Sequence, residues 1–121
     1  MNIRFYKDNN TSEVFFSVSG QIPEGYEELR ANTTDAAVEK HVPVIIVEGN
    51  RAHVEVGSTL HPMSEAHHIS FIVLVTDSRA ELANLDPTGS PTADFVLAEN
   101  EKVLAAYEYC NLHGLWVKEN N

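Results

Sequence analysis

"ISFIVLVTD", residues 69–77, is the stretch that decides the fold, because its side chains alternate as they do in a buried β-strand. Ser70 and Thr76 fall on one side of the strand, with Ile72 and Leu74 between them. The other side is wholly apolar and is made of Ile69, Phe71, Val73 and Val75. We expect this second face to point into the protein core.

Similar short runs recur along the chain between turn-like clusters, among them "VFFSVSG", "VPVIIVEGN", "AHVEVGS", "TADFVLAEN" and "VLAAYEYCN". This rhythm predicts an all-β protein, an antiparallel sandwich or barrel. The segment 48–51 reads as a hairpin turn in which Gly49 supplies the unusual backbone angle. Helical signals are weak, and residues 34–41 and 78–85 could each form a turn or two at most.

The 121 residues suit one domain, and the first 30 read as short strands on tight turns. Eight basic residues against eighteen acidic ones give a formal charge of −10, which disfavours nucleic acid and anionic membranes as partners. The opening "MNIRFYKDNN" holds no apolar stretch that could serve as a signal peptide or span a bilayer. The chain has a single cysteine and so cannot form an intrachain disulfide, which favours the reducing cytoplasm.

That cysteine, Cys110, lies in "YCNLHGLW", residues 109–116, with His113 after a two-residue gap. A thiolate and an imidazole on one tight turn can converge on a metal ion, and Gly114 lets the chain reverse there. The motif alone is weak. A cysteine near a strand end is as often a small buried hydrophobe.

The segment "HPMSEAHHIS", residues 61–70, makes a metal site the stronger interpretation. Pro62 predicts a loop that begins at His61 and ends at the strand. Counting back along the strand places His67 on the inward face and His68 on the outward one, so His67 is the better ligand candidate. His53 alternates with inward valines and reads as an exposed strand residue.

His41, in "EKHVPV", completes a candidate set of one thiolate and four imidazoles: His41, His61, His67, Cys110 and His113. Structural zinc prefers four ligands rich in sulfur, so this set fits it poorly. Blue copper with Met63 as a weak ligand would leave two histidines unexplained. Four imidazoles and an axial thiolate suit iron with a sixth position open.

Three motifs, "NTTDAAVEKHVPVI", "VEVGSTLHPMSEAHHISFI" and "YCNLHGLW", closely resemble the superoxide reductases, the desulfoferrodoxin and neelaredoxin family, over residues 32–118. The resemblance implies an immunoglobulin-like antiparallel β-sandwich of about seven strands. It also implies one non-haem iron held by His41, His61, His67 and His113 around an axial Cys110. Glu39 and Lys40 match two family loop residues, which implies a carboxylate for the sixth site of oxidised iron and an ammonium near the open site of reduced iron.

By the same resemblance, residues 1–31 look like a short β appendage, a desulforedoxin-like domain that has lost its cysteines, and residues 32–121 like the iron-binding domain. The implied activity is an oxidoreductase that reduces superoxide to hydrogen peroxide. Its electrons come from a donor such as rubredoxin or another small redox protein, and a homodimer is possible. The alternative is a non-catalytic iron-binding or electron-transfer module, which would keep the ligands and would not need Lys40.

Overall fold

The computed structural model describes residues 2–120, and its regular structure is almost entirely β-strand. Those residues contain ten strands and one four-residue helix. The chain divides into two compact units, one ending at Ala31 and the other beginning at Asn32. No helix in the described part of the chain is long and apolar enough to cross a membrane.

The first unit is a three-stranded antiparallel sheet in the order β2-β1-β3. Its strands are β1 (Arg4–Asp8), β2 (Val14–Ser17) and β3 (Tyr26–Leu29). On one face the buried Phe5 ring lies 5.7 Å from that of Phe16. On the other face Tyr6 stacks on Phe15 and meets Tyr26 edge-on, with ring centroids 5.7 and 5.2 Å away. The short strands expected for this segment are therefore confirmed, but the connection between β2 and β3, residues 18–25, is longer than the tight turn that was expected.

The second unit is a sandwich of two antiparallel sheets with the orders β10-β9-β6-β7 and β4-β5-β8. Its elements are α1 (Val38–His41), β4 (Pro43–Glu48), β5 (Arg51–Val56), β6 (Ile69–Thr76), β7 (Ala80–Asn84), β8 (Thr92–Val96), β9 (Val103–Cys110) and β10 (Gly114–Glu119). The antiparallel sandwich of about seven strands that the family resemblance implies is confirmed. So is the β4–β5 hairpin, where Gly49 has a φ of 58°.

The inward face of β6 differs from the sequence prediction. Ile72 and Leu74 belong to the hydrophobic core, while Phe71, Val73 and Val75 are buried on the opposite face of the sheet. A register shift between Ile69 and Phe71 changes the phase of the alternation. Ile69 therefore faces the core although the three residues predicted to share its face do not. Because both faces are buried, hydrophobicity alone could not reveal the inner one.

The other correction concerns the weak helical signal over residues 78–85. The segment forms β7, whose backbone pairs with β6 from Phe71↔Asn84 to Val75↔Ala80. The β6 edge offers a full row of hydrogen bonds, which outweighs the modest helix propensity of this sequence. The other helical signal, residues 34–41, does contain α1.

A polar network closes the β6–β7 turn, at the end of β6 away from Ile69. One carboxylate oxygen of Glu101 accepts hydrogen bonds from the Thr76 hydroxyl at 2.6 Å and from Arg79 Nε at 2.8 Å. The other oxygen accepts from the Ala98 N–H at 2.9 Å. These bonds, that from Thr76 foremost, lower the pKa of Glu101 to about 2.

Candidate metal centre

Four chain segments meet at the other end of the sandwich and carry the predicted ligands. His41 is the last residue of α1, and His61 follows the end of β5 by five residues. His67 precedes β6, whose first residue, Ile69, pairs with Cys110 at the end of β9. His113 lies in the turn between β9 and β10. The antiparallel order thus brings these distant parts of the sequence to one place.

All five predicted ligand side chains converge there. The ligand atoms of His41, His61, His67 and Cys110 lie within 4.8 Å of one another. His113 joins them, because its Nδ1 is 3.1 Å from His41 Nε2 and 3.9 Å from Cys110 Sγ. Cys110 Sγ is also 3.5 Å from His61 Nε2.

The four imidazoles form a closed ring of neighbours. In the order His41, His61, His67, His113 and back to His41, the ring centroids are 4.8, 4.5, 5.2 and 4.9 Å apart. Adjacent rings are nearly perpendicular, at 74° to 85°. This square of imidazoles, with the Cys110 sulfur beside it, brings five ligand groups close enough together to bind one metal ion.

Hydrogen bonds fix which nitrogen two of the histidines present. The Nδ1 of His41 lies 2.7 Å from the Ala37 carbonyl oxygen, and the Nδ1 of His61 lies 2.6 Å from that of Pro62. A carbonyl can only accept, so each Nδ1 carries the proton and each Nε2 keeps its lone pair free. A backbone partner for the remote nitrogen is the usual support of a metal-binding histidine.

Two further observations show that the residues fit a metal ion. His67 Nε2 is buried and has no hydrogen-bond partner among the described residues, a costly state that a metal would relieve. The 3.1 Å between the nitrogens of His41 and His113 matches two ligands at right angles on one ion. At metal–nitrogen distances of about 2.1 Å, such nitrogens stand about 3.0 Å apart.

The electrostatics point the same way. Burial lowers the pKa of His41, His61 and His67, that of His61 to about 4, so these rings are neutral ligands at neutral pH. Burial raises the pKa of the Cys110 thiol, and backbone N–H groups of Leu112 and His113 partly oppose that effect. A bound cation would supply the charge that a buried thiolate needs. Imidazoles and a thiolate together suit iron.

Glu39 and Lys40 lie on α1 directly before His41, and both are exposed. After burial, the charge of Lys40 is among the causes that lower the pKa of His41 and of His67, so its field reaches both rings. The Glu39 carbonyl accepts a hydrogen bond from the Thr59 N–H at 3.0 Å. This bond ties α1 to the loop that carries His61.

The remaining candidates are engaged elsewhere. Met63, offered as a ligand for copper, accepts the Ile69 N–H on its sulfur at 3.3 Å and packs against the core. His68 Nδ1 lies 2.9 Å from the Ser64 carbonyl oxygen. His53 is paired with Asp94 at 2.8 Å on the outer face of its sheet, as the alternation predicted.

Sequence reasoning missed two residues around the centre. The Trp116 ring stacks on His41, with centroids 5.0 Å apart at 28°, and its Nε1 donates to the His113 carbonyl at 3.1 Å. Glu108 is fully buried, its oxygens have no hydrogen-bond partner among the described residues, and burial raises its pKa. The alternation of Ala106, Glu108 and Cys110 along β9 was the available signal, since it puts a carboxyl group at an inward position.

Four imidazoles and a thiol gathered at one end of a β-sandwich define a protein able to hold a single metal ion through nitrogen and sulfur. The family model described as desulfoferrodoxin matches residues 33–119. The chain therefore belongs to the desulfoferrodoxin family.

Individual relatives agree. A desulfoferrodoxin from Clostridium acetobutylicum is 51% identical over 86 residues, which is 71% of this chain and 66% of the relative. A superoxide reductase from Pyrococcus horikoshii is 38% identical over 98 residues, covering 67% of this chain and 85% of the relative. The crystal structure of the superoxide reductase from Treponema pallidum matches 98% of this chain and all of that one, at 34% identity and a TM-score of 0.86. The chain thus spans about two thirds of the Clostridium relative and the whole of the Treponema structure.

Proposed function

We propose that this chain is a superoxide reductase, which converts superoxide, one electron and two protons into one hydrogen peroxide. The observation that carries the proposal is the convergence of four imidazoles and one thiol, with the exposed Lys40 next to His41 in the chain. Membership of the desulfoferrodoxin family and similarity to proteins named superoxide reductases support it.

His41, His61, His67, His113 and Cys110 would together hold one iron. Iron, when bound, supplies the single electron that superoxide receives. The Cys110 thiolate would add electron density to that iron and so tune how readily the metal gives the electron. The Leu112 and His113 N–H groups moderate this donation by bonding to the sulfur.

Lys40 attracts and holds the substrate. Superoxide is a small anion approaching a chain with a formal charge of −10, so a local positive field must overcome a repulsive global one. The exposed ammonium of Lys40, whose field reaches His41 and His67, provides that local attraction. It also balances the negative charge that grows on the oxygens as the electron arrives.

Glu39 stands on the same short helix and offers an anionic oxygen, which makes it a candidate further ligand of oxidised iron. By binding the oxidised metal, its carboxylate would help to release the hydrogen peroxide. Because Glu39 and Lys40 are both exposed, water reaches this side of the centre and can supply the two protons.

The wider setting follows from the same proposal. The oxidised centre must be reduced again, so we propose a small one-electron redox protein, such as a rubredoxin, as partner. A centre built on a free thiol fits the reducing cytoplasm. We propose that residues 1–31 derive from a desulforedoxin-like domain and contribute to a homodimer. Similarity to the Treponema pallidum protein over 98% of the chain supports a shared N-terminal segment.

The experiment compares Lys40→Ala with Lys102→Ala in the reduced, iron-loaded protein. Both variants remove one positive charge, but Lys102 belongs to the opposite end of the sandwich, where its N–H bonds to Asp77. With superoxide delivered by pulse radiolysis, Lys40→Ala should lower the second-order rate at least about tenfold, and Lys102→Ala should leave it within about twofold. Equal rates in both variants would remove Lys40 from the mechanism. A wild-type protein that binds iron but ignores superoxide would favour the non-catalytic module instead.

A further inference from the structure

Asn111 stands between Cys110 and His113 and holds the main chain on both sides of His67. Its Nδ2 donates to the Ala66 carbonyl at 3.0 Å, and its Oδ1 accepts the His68 N–H at 2.9 Å. Its own backbone N–H donates to the His68 carbonyl at 3.2 Å. The residue that connects two of the ligands thus grips the peptide groups that flank a third.

The backbone around His67 needs such support. The β6–β9 ladder ends where Ile69 pairs with Cys110, next to a register shift, so residues before Ile69 lack a strand partner. A carboxamide carries one acceptor and two donors, as a peptide group carries an acceptor and a donor. The Asn111 side chain therefore continues the hydrogen-bonding pattern of β9 for two more residues.

His67 also differs from two other ligands in how its ring is held. Backbone carbonyls hold Nδ1 of both His41 and His61. The hydrogen bonds of His67 are made by its backbone. Its N–H donates to the Ser64 hydroxyl at 3.1 Å, and its carbonyl accepts from that hydroxyl at 3.2 Å. The buried Nε2 has no partner among residues 2–120. The position of this ring is therefore set through the main chain.

We propose that Asn111 is a positioning residue, which sets the distance of His67 from Cys110 and so keeps the His67 imidazole within the iron-binding cluster. The proposal rests on the proposed function only in taking His67 and Cys110 as iron ligands. It does not depend on the reaction with superoxide.

The test measures Fe²⁺ affinity under anaerobic conditions by competition with a chromogenic chelator. Asn111→Ala should weaken iron binding by about ten- to a hundredfold, the usual cost of removing a residue that orients a ligand. Asn111→Asp keeps the acceptor for the His68 N–H and loses the donor to Ala66, so its loss should be intermediate. If Asn111→Ala does not fold, this second variant carries the test alone.

Two controls separate positioning from general damage. Asn32 makes the same two-bond grip on β10, where its Nδ2 donates to the Val117 carbonyl at 3.2 Å and its Oδ1 accepts the Val117 N–H at 2.9 Å. Asn32 has a φ of 62°, so alanine there is the harsher substitution, yet Asn32→Ala should keep the wild-type iron affinity. In a His67→Ala background, Asn111→Ala should cause no further loss.

Three results would overturn the proposal: an iron affinity of Asn111→Ala within twofold of wild type, an equal loss in Asn32→Ala, or a full additional loss in the His67→Ala background. If the wild-type protein binds iron and consumes superoxide, any of these results would refute the role of Asn111 and leave the proposed function standing. A wild-type protein that binds iron but does not react with superoxide would refute the proposed function and leave the role of Asn111 standing.

Discussion

Replacing His67 with leucine should stabilise the metal-free protein while it weakens iron binding. In the metal-free state His67 Nε2 is buried without a hydrogen-bond partner among the described residues. Leaving such a group unsatisfied costs about 1–3 kcal/mol, and leucine removes the polar atom while filling similar space. The free energy of unfolding of metal-free His67→Leu should therefore exceed that of the wild type by about 1–2 kcal/mol.

Iron should stabilise the wild type more than it stabilises the variant. A ligand at a hundred times its dissociation constant stabilises the folded state by about 2.7 kcal/mol, and the wild type should gain this amount from Fe²⁺. A variant that binds tenfold to a hundredfold more weakly gains only about 0.4–1.4 kcal/mol at the same concentration. His67 thus lowers the stability of the metal-free protein and raises its affinity for iron.

The assay is urea unfolding under anaerobic conditions, once with a strong chelator and once with Fe²⁺. His68→Leu is the matched control, because His68 is the next residue and its ring nitrogen faces the Ser64 carbonyl rather than the cluster. That control should keep the full stabilisation by iron. A metal-free His67→Leu less stable than the wild type, or stabilised by iron to the same extent, would refute the reasoning.

Three further predictions test other parts of the structure. Gly57→Ala should lower the free energy of unfolding by about 1–3 kcal/mol and weaken iron binding, because the new Cβ would lie 2.6 Å from the Glu39 carbonyl oxygen on the helix that carries His41. Urea titration measures the loss of stability, and chelator competition measures the loss of iron affinity. The pKa of Glu101 is lowered from 4.5 to about 2, chiefly by the Thr76 hydroxyl, so its contribution to stability is present above pH 4.5 and disappears as the pH falls toward 2. Over that range the melting temperature of Glu101→Gln should fall less than that of the wild type. The oxidised iron protein should show a visible sulfur-to-iron charge-transfer band that Cys110→Ser abolishes, and a band that survives would exclude sulfur ligation.

Much of the fold was open to sequence reasoning because the strands of a sandwich leave a local mark. The β4–β5 hairpin was evident from Gly49 between two apolar runs, and it formed as predicted. The face of β6 that points into the core was not evident from the sequence, because the strand is buried on both faces and the register shift after Ile69 is set by pairing with β9. Residues 78–85 joined β6 as a strand for the same reason, a tertiary effect that local propensity does not contain.

The metal centre was more accessible than its support. His67 was selected over His68 by counting back from Ile69, and the structure brings His67 into the cluster because Ile69 itself faces the core. The roles of Asn111 and Trp116 could not be read from the sequence. An asparagine beside a cysteine carries no sign of the distant peptide groups that it grips, and these appear only when the loops meet.

The yield of hydrogen peroxide tests most directly whether this chain reduces superoxide. Reduced, iron-loaded protein in excess is exposed anaerobically to a known dose of superoxide, and peroxide and oxygen are then quantified. A reductase gives one hydrogen peroxide for each superoxide consumed and no oxygen. A yield of half that amount, with oxygen released, is the result of dismutation and would contradict the proposed function.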